Sequence, residues 1–359
     1  MIKVFEMFSG YGGASFGLQR AAIPFECIGI SEVDKYAIEC FNNNFPNVKN
    51  FGDCSKIDTK ELPDFDLLTG GFPCQDVSVA GKRNLEKGRT NLYEEILRIA
   101  KDKKPKYMLL ENVKGLLSME VDERKLHLKI VSNLNKIGYD VCWKVLNSKN
   151  HGIPQNRERI WFVCKLGSWK FMEFMFPNPI ELKIFLKDIL EKEVDKKYFL
   201  SDTAIKGIIK SNFQERKPLD NLDVCKTLKV GGDVPCLENP HSIAIRDKNR
   251  NNNNPKSELQ LEINKGNISN AITSSTKDFM VIEARSRMKY NELSDCSEIS
   301  IRKLTPTECF RLMGFLNDEI NLDGLSDTQK YKLVGNGWDI NLVSKILKNM
   351  LKTTKEVLE

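Results

Sequence analysis

Over the first 166 residues, short apolar runs alternate with longer stretches whose apolar positions recur every three or four residues. The runs Lys3–Phe8, Phe25–Ser31, Phe65–Thr69, Tyr107–Leu110, Tyr139–Leu146 and Arg159–Leu166 have the length and content of buried strands. The stretches Asp34–Asn44, Thr90–Asp102 and Glu123–Ile137 carry helical spacing. Such alternation predicts a mostly parallel sheet with crossover helices, a doubly wound α/β fold.

The texture changes after residue 167. Residues 167–300 hold short, weakly periodic segments and an asparagine tract, Asn249-Arg250-Asn251-Asn252-Asn253-Asn254. Between Arg246 and Lys256 stand four basic residues and one acidic residue, either a solvated loop or one that touches a polyanion. Order returns at Ile301. Thr305-Pro306-Thr307-Glu308 is a helix start with proline in its first turn, followed by the apolar face Cys309, Leu312 and Met313. A last helix is expected over Asn341–Leu351. The predicted organisation is therefore a sheet domain at 1–166, a second, smaller domain at 167–300, and a closing segment at 301–359 that returns to the first.

Composition changes this picture little. The chain has 359 residues, enough for about two domains, with 41% hydrophobic and 29% charged residues. Its 55 Lys and Arg against 49 Asp and Glu give +6, too small an excess for a purely electrostatic nucleic-acid binder. No apolar run reaches membrane-spanning length, and the N-terminus does not read as a signal peptide. Ten cysteines without a Cys-x-x-Cys pair, beside three histidines, disfavour a zinc site. Reduced thiols in a cytoplasm are expected.

In an open parallel sheet, ligands bind beyond the carboxyl ends of the strands. After the first run comes Phe8-Ser9-Gly10-Tyr11-Gly12-Gly13, a glycine loop opening a helix and letting the backbone approach a cofactor. Glu32 ends the second run, where a ribose-binding acid sits in nucleoside-type sites, so a nicotinamide cofactor fits equally well at this point. Asp53 is a third candidate, with a helix N-cap as its plain alternative. The end of the Phe65–Thr69 run is different, because Gly70-Gly71-Phe72-Pro73-Cys74-Gln75 puts a cysteine on a constrained turn. Tyr107–Leu110 then delivers Glu111, whose burial would favour its protonated form. A thiolate can add to C6 of a pyrimidine while an acid protonates N3, turning C5 into a carbon nucleophile. Nicotinamide chemistry has no use for that cysteine–glutamate pair.

These residues resemble, in order and across nearly the whole chain, the C5-cytosine DNA methyltransferase family. Phe8–Gly13 resembles its S-adenosylmethionine loop, Gly71-Phe72-Pro73-Cys74-Gln75 its nucleophile motif, and Glu111-Asn112-Val113 its N3-protonating motif. Gln155-Asn156-Arg157-Glu158-Arg159 matches its Gln-x-Arg-x-Arg segment. Arg302–Pro306, with Glu308, Arg311, Leu312, Met313 and Gly314, matches the segment after its recognition domain, and Tyr331–Asn336 matches its last motif. The resemblance implies a Rossmann-like methyltransferase sheet followed by a mixed target-recognition domain. It implies that Cys74 attacks C6 of a cytosine flipped out of the duplex, Glu111 holds N3 and N4, and Arg159 holds O2. Arg157 would support Glu111 or a phosphate. The methyl donor S-adenosylmethionine would be held by Glu6, Phe8, Gly10, Gly12, Gly13, Glu32, Val33, Asp53, Pro73, Leu92 and Asn336, with no metal. DNA would be met by Gln75, Ser78, Lys82, Arg83 and Arg89, the last three on a basic loop suited to closing over phosphates.

The resemblance further implies double-stranded DNA as partner, a restriction endonuclease acting separately, and a monomer working away from membranes. A tRNA methyltransferase of the same family and a catalytically silent DNA-binding relative are the alternatives. The long basic stretch at 167–300 favours DNA, and intact Cys74, Glu111 and Arg159 favour catalysis. Two departures stand out. Gly337-Trp338 replaces the family's small hydroxyl and β-branched pair, so Trp338 is expected to pack against the cofactor pocket. Val33 stands where an aromatic residue is frequent, which weakens adenine stacking on that side.

Overall fold

The computed structural model describes residues 1–72, 92–121, 123–169, 174–205, 241–247, 259–263, 269–270, 280–284, 299–317 and 319–352. In chain order the first part runs β1 (Ile2–Met7), α1 (Gly13–Arg20), β2 (Phe25–Ser31), α2 (Lys35–Asn44), β3 (Leu67–Gly71), α3 (Leu92–Lys103) and β4 (Tyr107–Val113). A two-residue hairpin follows, β5 (Glu120–Val121) and β6 (Arg124–Lys125), then α4 (Leu126–Lys136), β7 (Tyr139–Asn147), β8 (Gln155–Asn156) and β9 (Glu158–Leu166). Among the described residues these build a six-stranded sheet in the order β2-β1-β3-β4-β9-β7. The strands β1 to β4 are parallel, and β9 runs antiparallel to both β4 and β7. The doubly wound, mostly parallel sheet expected from the sequence is present.

Period-two alternation divides the strand side chains between two faces. Leu68, Met108, Leu110 and Phe162 pack with Ile96 and Ile99 of α3 and Ile130 of α4. Val4, Leu67, Leu109 and Val163 pack on the other face with Leu18 of α1 and with Val343 and Leu347 of α8 (Ile340–Lys352). Each fully buried aliphatic side chain contributes about 1.5–3 kcal/mol of transfer free energy, which holds the strand ends firmly in register.

Most strand and helix ends shift by a residue or two from the sequence expectation, and three shifts have a clear local reason. β4 continues to Val113, because Glu111, Asn112 and Val113 pair with Trp161, Ile160 and Arg159 of β9. β3 likewise reaches Gly71, which pairs with Glu111. Helix α4 starts at Leu126 rather than Glu123, since Arg124–Lys125 is held in the hairpin and Glu123 adopts φ 61°.

The second part contributes β10 (His241–Asp247), β11 (Leu259–Ile263), β12 (Ser269–Asn270), β13 (Met280–Ala284) and β14 (Ile299–Lys303). Four of these form an antiparallel sheet, β11-β10-β13-β14, so the 300/301 boundary expected from sequence falls inside β14. β12 pairs instead with β8, the two-residue strand just ahead of β9, in a small sheet of its own. The short helix α5 (Leu186–Ile189) shares a core with Phe310 of α6 (Pro306–Arg311) and Tyr331 of α7 (Asp327–Asn336). Arg302 and Glu308 make a fully buried ion pair at 2.8 Å, and Thr305 with Glu308 forms the capping box that starts α6. The asparagine tract lies outside the described residues. No helix among the described residues is long and apolar enough to cross a membrane.

Candidate active site

The topology gathers the candidates on one edge. Parallel strands β1 to β4 deliver Phe8, Glu32, Phe72 and Glu111 from their carboxyl ends. β9, being antiparallel, brings its starting residue pair Glu158–Arg159 to the same edge, with Arg159 opposite Val113. A cleft of about 750 Å³ opens there, lined by Phe8, Gly10, Glu32, Val33, Asp53, Leu92, Glu111, Arg157, Arg159 and Asn336 among others. That volume suits a ligand of nucleoside size. A smaller cavity beside it is lined by Glu6, Ser9, Gly10, Gly13, Thr69, Gly71 and Trp338.

The glycine loop is shaped by its own backbone. Phe8, Gly10 and Gly12 all have positive φ, at 54°, 55° and 92°. A Cβ on Gly12 would also meet the rings of Phe41 and Phe45 at 3.0 Å. Glu32 holds this loop, since Oε2 accepts from Gly10 N at 3.0 Å while Oε1 accepts from Val33 N and Asp34 N. Asn50, which sequence reasoning missed, brackets Glu32 by accepting its N–H and donating to its carbonyl. Its signal lies in chain reversal between distant residues, which no local pattern carries. The Oγ of Ser9 is buried in the small cavity with no hydrogen-bond partner among the described residues. An unsatisfied hydroxyl beside a positive-φ glycine loop fits a polar ligand group there.

The carboxylates on this edge differ in what they touch. Glu6 is 2% exposed and accepts from Ala14 N, Ser15 N and the Ser15 hydroxyl, so it caps α1. Burial raises it from its ordinary 4.5 to about 7, against the pull of those bonds. Asp53 accepts from Ser55 N and the Ser55 hydroxyl, capping a short 3-10 turn, and also lines the large cleft. The N-cap reading is thus seen, with the side chain at the cleft. Val33 is 72% exposed at the cleft rim and offers no aromatic wall.

Glu111 is buried at the end of β4, and its Oε1 lies 3.0 Å from Arg159 Nε. Burial pushes its carboxyl above the usual range, opposed by Arg159, Arg157 and a hydrogen bond from the Trp338 side chain. Arg157 is 3% exposed, and its guanidinium donates to the carbonyls of Gly335 and Gly337. Burial pulls it down to about 9. It acts on Glu111 through charge while its hydrogen bonds tie the closing segment to the sheet. Asn112 donates to the Phe72 carbonyl at 3.0 Å, anchoring the residue just past the end of β3. Pro73, Cys74, Gln75, Ser78, Lys82, Arg83 and Arg89 lie outside the described residues.

The Gly337-Trp338 departure has a steric cause. A Cβ on Gly337 would stand 1.9 Å from the Tyr11 ring, and the Tyr11 hydroxyl donates to the Trp338 carbonyl. Trp338 is 8% exposed, packs edge-on against Trp161 at 5.1 Å, and forms a wall of the small cavity.

The profile of the C-5 cytosine-specific DNA methylase family matches residues 2–352. The chain is 30% identical over 351 residues to the type II methyltransferase M.HhaI of Haemophilus parahaemolyticus, covering 97% of this chain and 94% of that protein. It is 32% identical over 367 residues to the type II methyltransferase M1.ScrFI of Lactococcus lactis subsp. cremoris, covering 99% and 79%. In fold it is similar to the S. pombe Dnmt2 methyltransferase, with TM-score 0.71 at 20% identity over 99% of this chain and 100% of that one. This chain belongs to the C-5 cytosine-specific DNA methylase family, enzymes that use S-adenosylmethionine as methyl donor.

Proposed function

We propose that the protein methylates C5 of a cytosine flipped out of double-stranded DNA, through an adduct between Cys74 and C6. The observation that carries this reading is Glu111, a buried carboxyl with a raised proton affinity, standing beside Arg159 on the cleft that the glycine loop lines. A carboxyl in that state can donate to N3 of the base, and Arg159 can hold the developing charge at O2. Asn112 and Phe72 hold the start of the turn that carries Cys74. Arg157 and Glu6 act by position, the first on the closing segment and the second on the start of α1.

S-adenosylmethionine supplies an electrophilic methyl carbon when bound. Phe8, Gly10, Glu32, Val33, Asp53, Leu92 and Asn336 line its cleft and Gly13 the small cavity beside it, while Gly12 shapes the loop and Pro73 is a further contact by the family resemblance. Gln75, Ser78, Lys82, Arg83 and Arg89 meet the DNA. The type II relatives support DNA as substrate, and a separately acting endonuclease of the same site preference as partner. The protein acts as a monomer.

The test is incorporation of labelled methyl from S-adenosylmethionine into duplex DNA and into tRNA, side by side, followed by bisulfite sequencing of the DNA. Incorporation into DNA by the parent, and none by Cys74→Ala, is expected. Transfer into tRNA alone would establish the other substrate, and transfer by Cys74→Ala would overturn the adduct.

A further inference from the structure

Trp338 stands 227 positions from Glu111 in sequence, yet its indole and that carboxyl come together beside Gly71. A Cβ built on Gly71 would lie 2.9 Å from Trp338 Nε1 and 3.3 Å from Glu111 Oε2, so a side chain there would press on both groups at once. On its other side the indole is fixed from three directions. Trp161 packs edge-on at 5.1 Å, Gly13 leaves room for its Cβ, and the Tyr11 hydroxyl holds its carbonyl. One ring therefore walls the small cavity of the glycine loop and also reaches the acid of the neighbouring cleft.

We infer that Trp338 is a positioning residue for Glu111, its indole N–H orienting the carboxyl from the cofactor side while Arg159 orients it from the substrate side. This rests on the proposed role of Glu111 as the acid at N3. Indole is a donor only, so it must give its hydrogen to a carboxyl oxygen and cannot accept the carboxyl's proton. The acid's proton is therefore directed to an oxygen or lobe that Trp338 does not occupy. Among the described residues, the charged groups facing Glu111 are Arg159 of β9 and Arg157 just before it, with Asp339 and Tyr11 behind Arg157. Gly71 and Trp338 bring no charge. A donor bond favours the ionised carboxylate, so its loss leaves burial less opposed and Glu111 holds its proton to higher pH.

The experiment uses the full chain, duplex DNA and S-adenosylmethionine. Trp338→Phe keeps most of the ring and removes the N–H. Gly71→Ala keeps the indole and wedges a methyl group between it and the carboxyl. Both should lower kcat at neutral pH by about tenfold, the scale of a lost hydrogen bond to a charged group. Both should also move the alkaline limb of the kcat–pH profile to higher pH with the acid limb in place. Binding of S-adenosylmethionine to Trp338→Phe, read by calorimetry, should stay within about threefold of the parent, because the wall remains. An alkaline limb unmoved in both variants overturns the inference. Glu111→Gln is the control for the reading beneath it. If that variant turns over like the parent, Glu111 is not the acid. If it is inactive while the two profiles stay unmoved, only the role of Trp338 falls.

Discussion

Two buried glutamates end neighbouring parts of the same sheet, Glu6 on β1 and Glu111 on β4, and their surroundings give them opposite uses. Glu6 faces the start of a helix, where two backbone N–H groups and a hydroxyl saturate it. Glu111 faces a guanidinium and an indole and keeps one side on the cleft. Burial raises the proton affinity of both. Proton affinity alone therefore does not mark a catalytic acid. What separates them is their partners: the start of α1 saturates Glu6, whereas Glu111 lines the large cleft beside Arg159.

Glu111→Gln is the strongest test of that contrast. It should lower turnover about a hundred- to ten-thousandfold in a methyl-transfer assay while leaving thermal stability near the parent's. Glu6→Gln should do the reverse, leaving turnover within a few-fold and changing how stability depends on pH. The Glu6 carboxyl holds its proton to about pH 7 in the folded chain against about 4.5 unfolded. The folded form thus binds more protons in that window, and stability falls as pH rises through it, by on the order of 3 kcal/mol. Denaturant melts between pH 4.5 and 7 should show a shallower slope in Glu6→Gln than in the parent, the remainder coming from buried Glu111 and Asp339. Gly337→Ala presses on both edges at once, because its methyl group meets the Tyr11 ring. A cost of about 1–3 kcal/mol in the same melts is expected, the usual penalty of overpacking. The smallest effect concerns the outer rim. Val33→Tyr adds an aromatic wall to the cleft and should tighten S-adenosylmethionine by about 0.5–1.5 kcal/mol in a binding titration.

The strands and their polar ends were readable because each is a run of apolar residues followed abruptly by an acid, a glycine or a small polar residue. Phe25–Ser31 matches to the residue, and Tyr139–Leu146 falls one residue short. The end of β4 was not readable, since Glu111-Asn112-Val113 looks like a loop and is made strand by its partner β9. The site was legible as a set of residue types but not as a wiring diagram. Nothing in the stretch around Glu6 says that its carboxylate meets Ala14 and Ser15, and nothing near Trp338 says that its indole meets Glu111. Those contacts depend on how separate strands and loops come to rest against one another. The antiparallel strands after residue 240 were hidden for a simpler reason. Segments such as Leu259–Ile263 are five residues long, too short for periodicity to separate them from loop.

The close seat of α8 against α1 has a consequence for how this protein is made. Gly17 lets the helices approach so nearly that a Cβ there would stand 2.5 Å from Val343 Cγ1. Arg157 binds carbonyls at Gly335 and Gly337. During synthesis the ribosome releases the first 166 residues long before either partner exists. One face of the nascent sheet then waits with only α1 against it until the helix carrying Val343 and Leu347 emerges. A chain halted before Trp338 would leave Val4, Leu67, Leu109 and Val163 without that second cover.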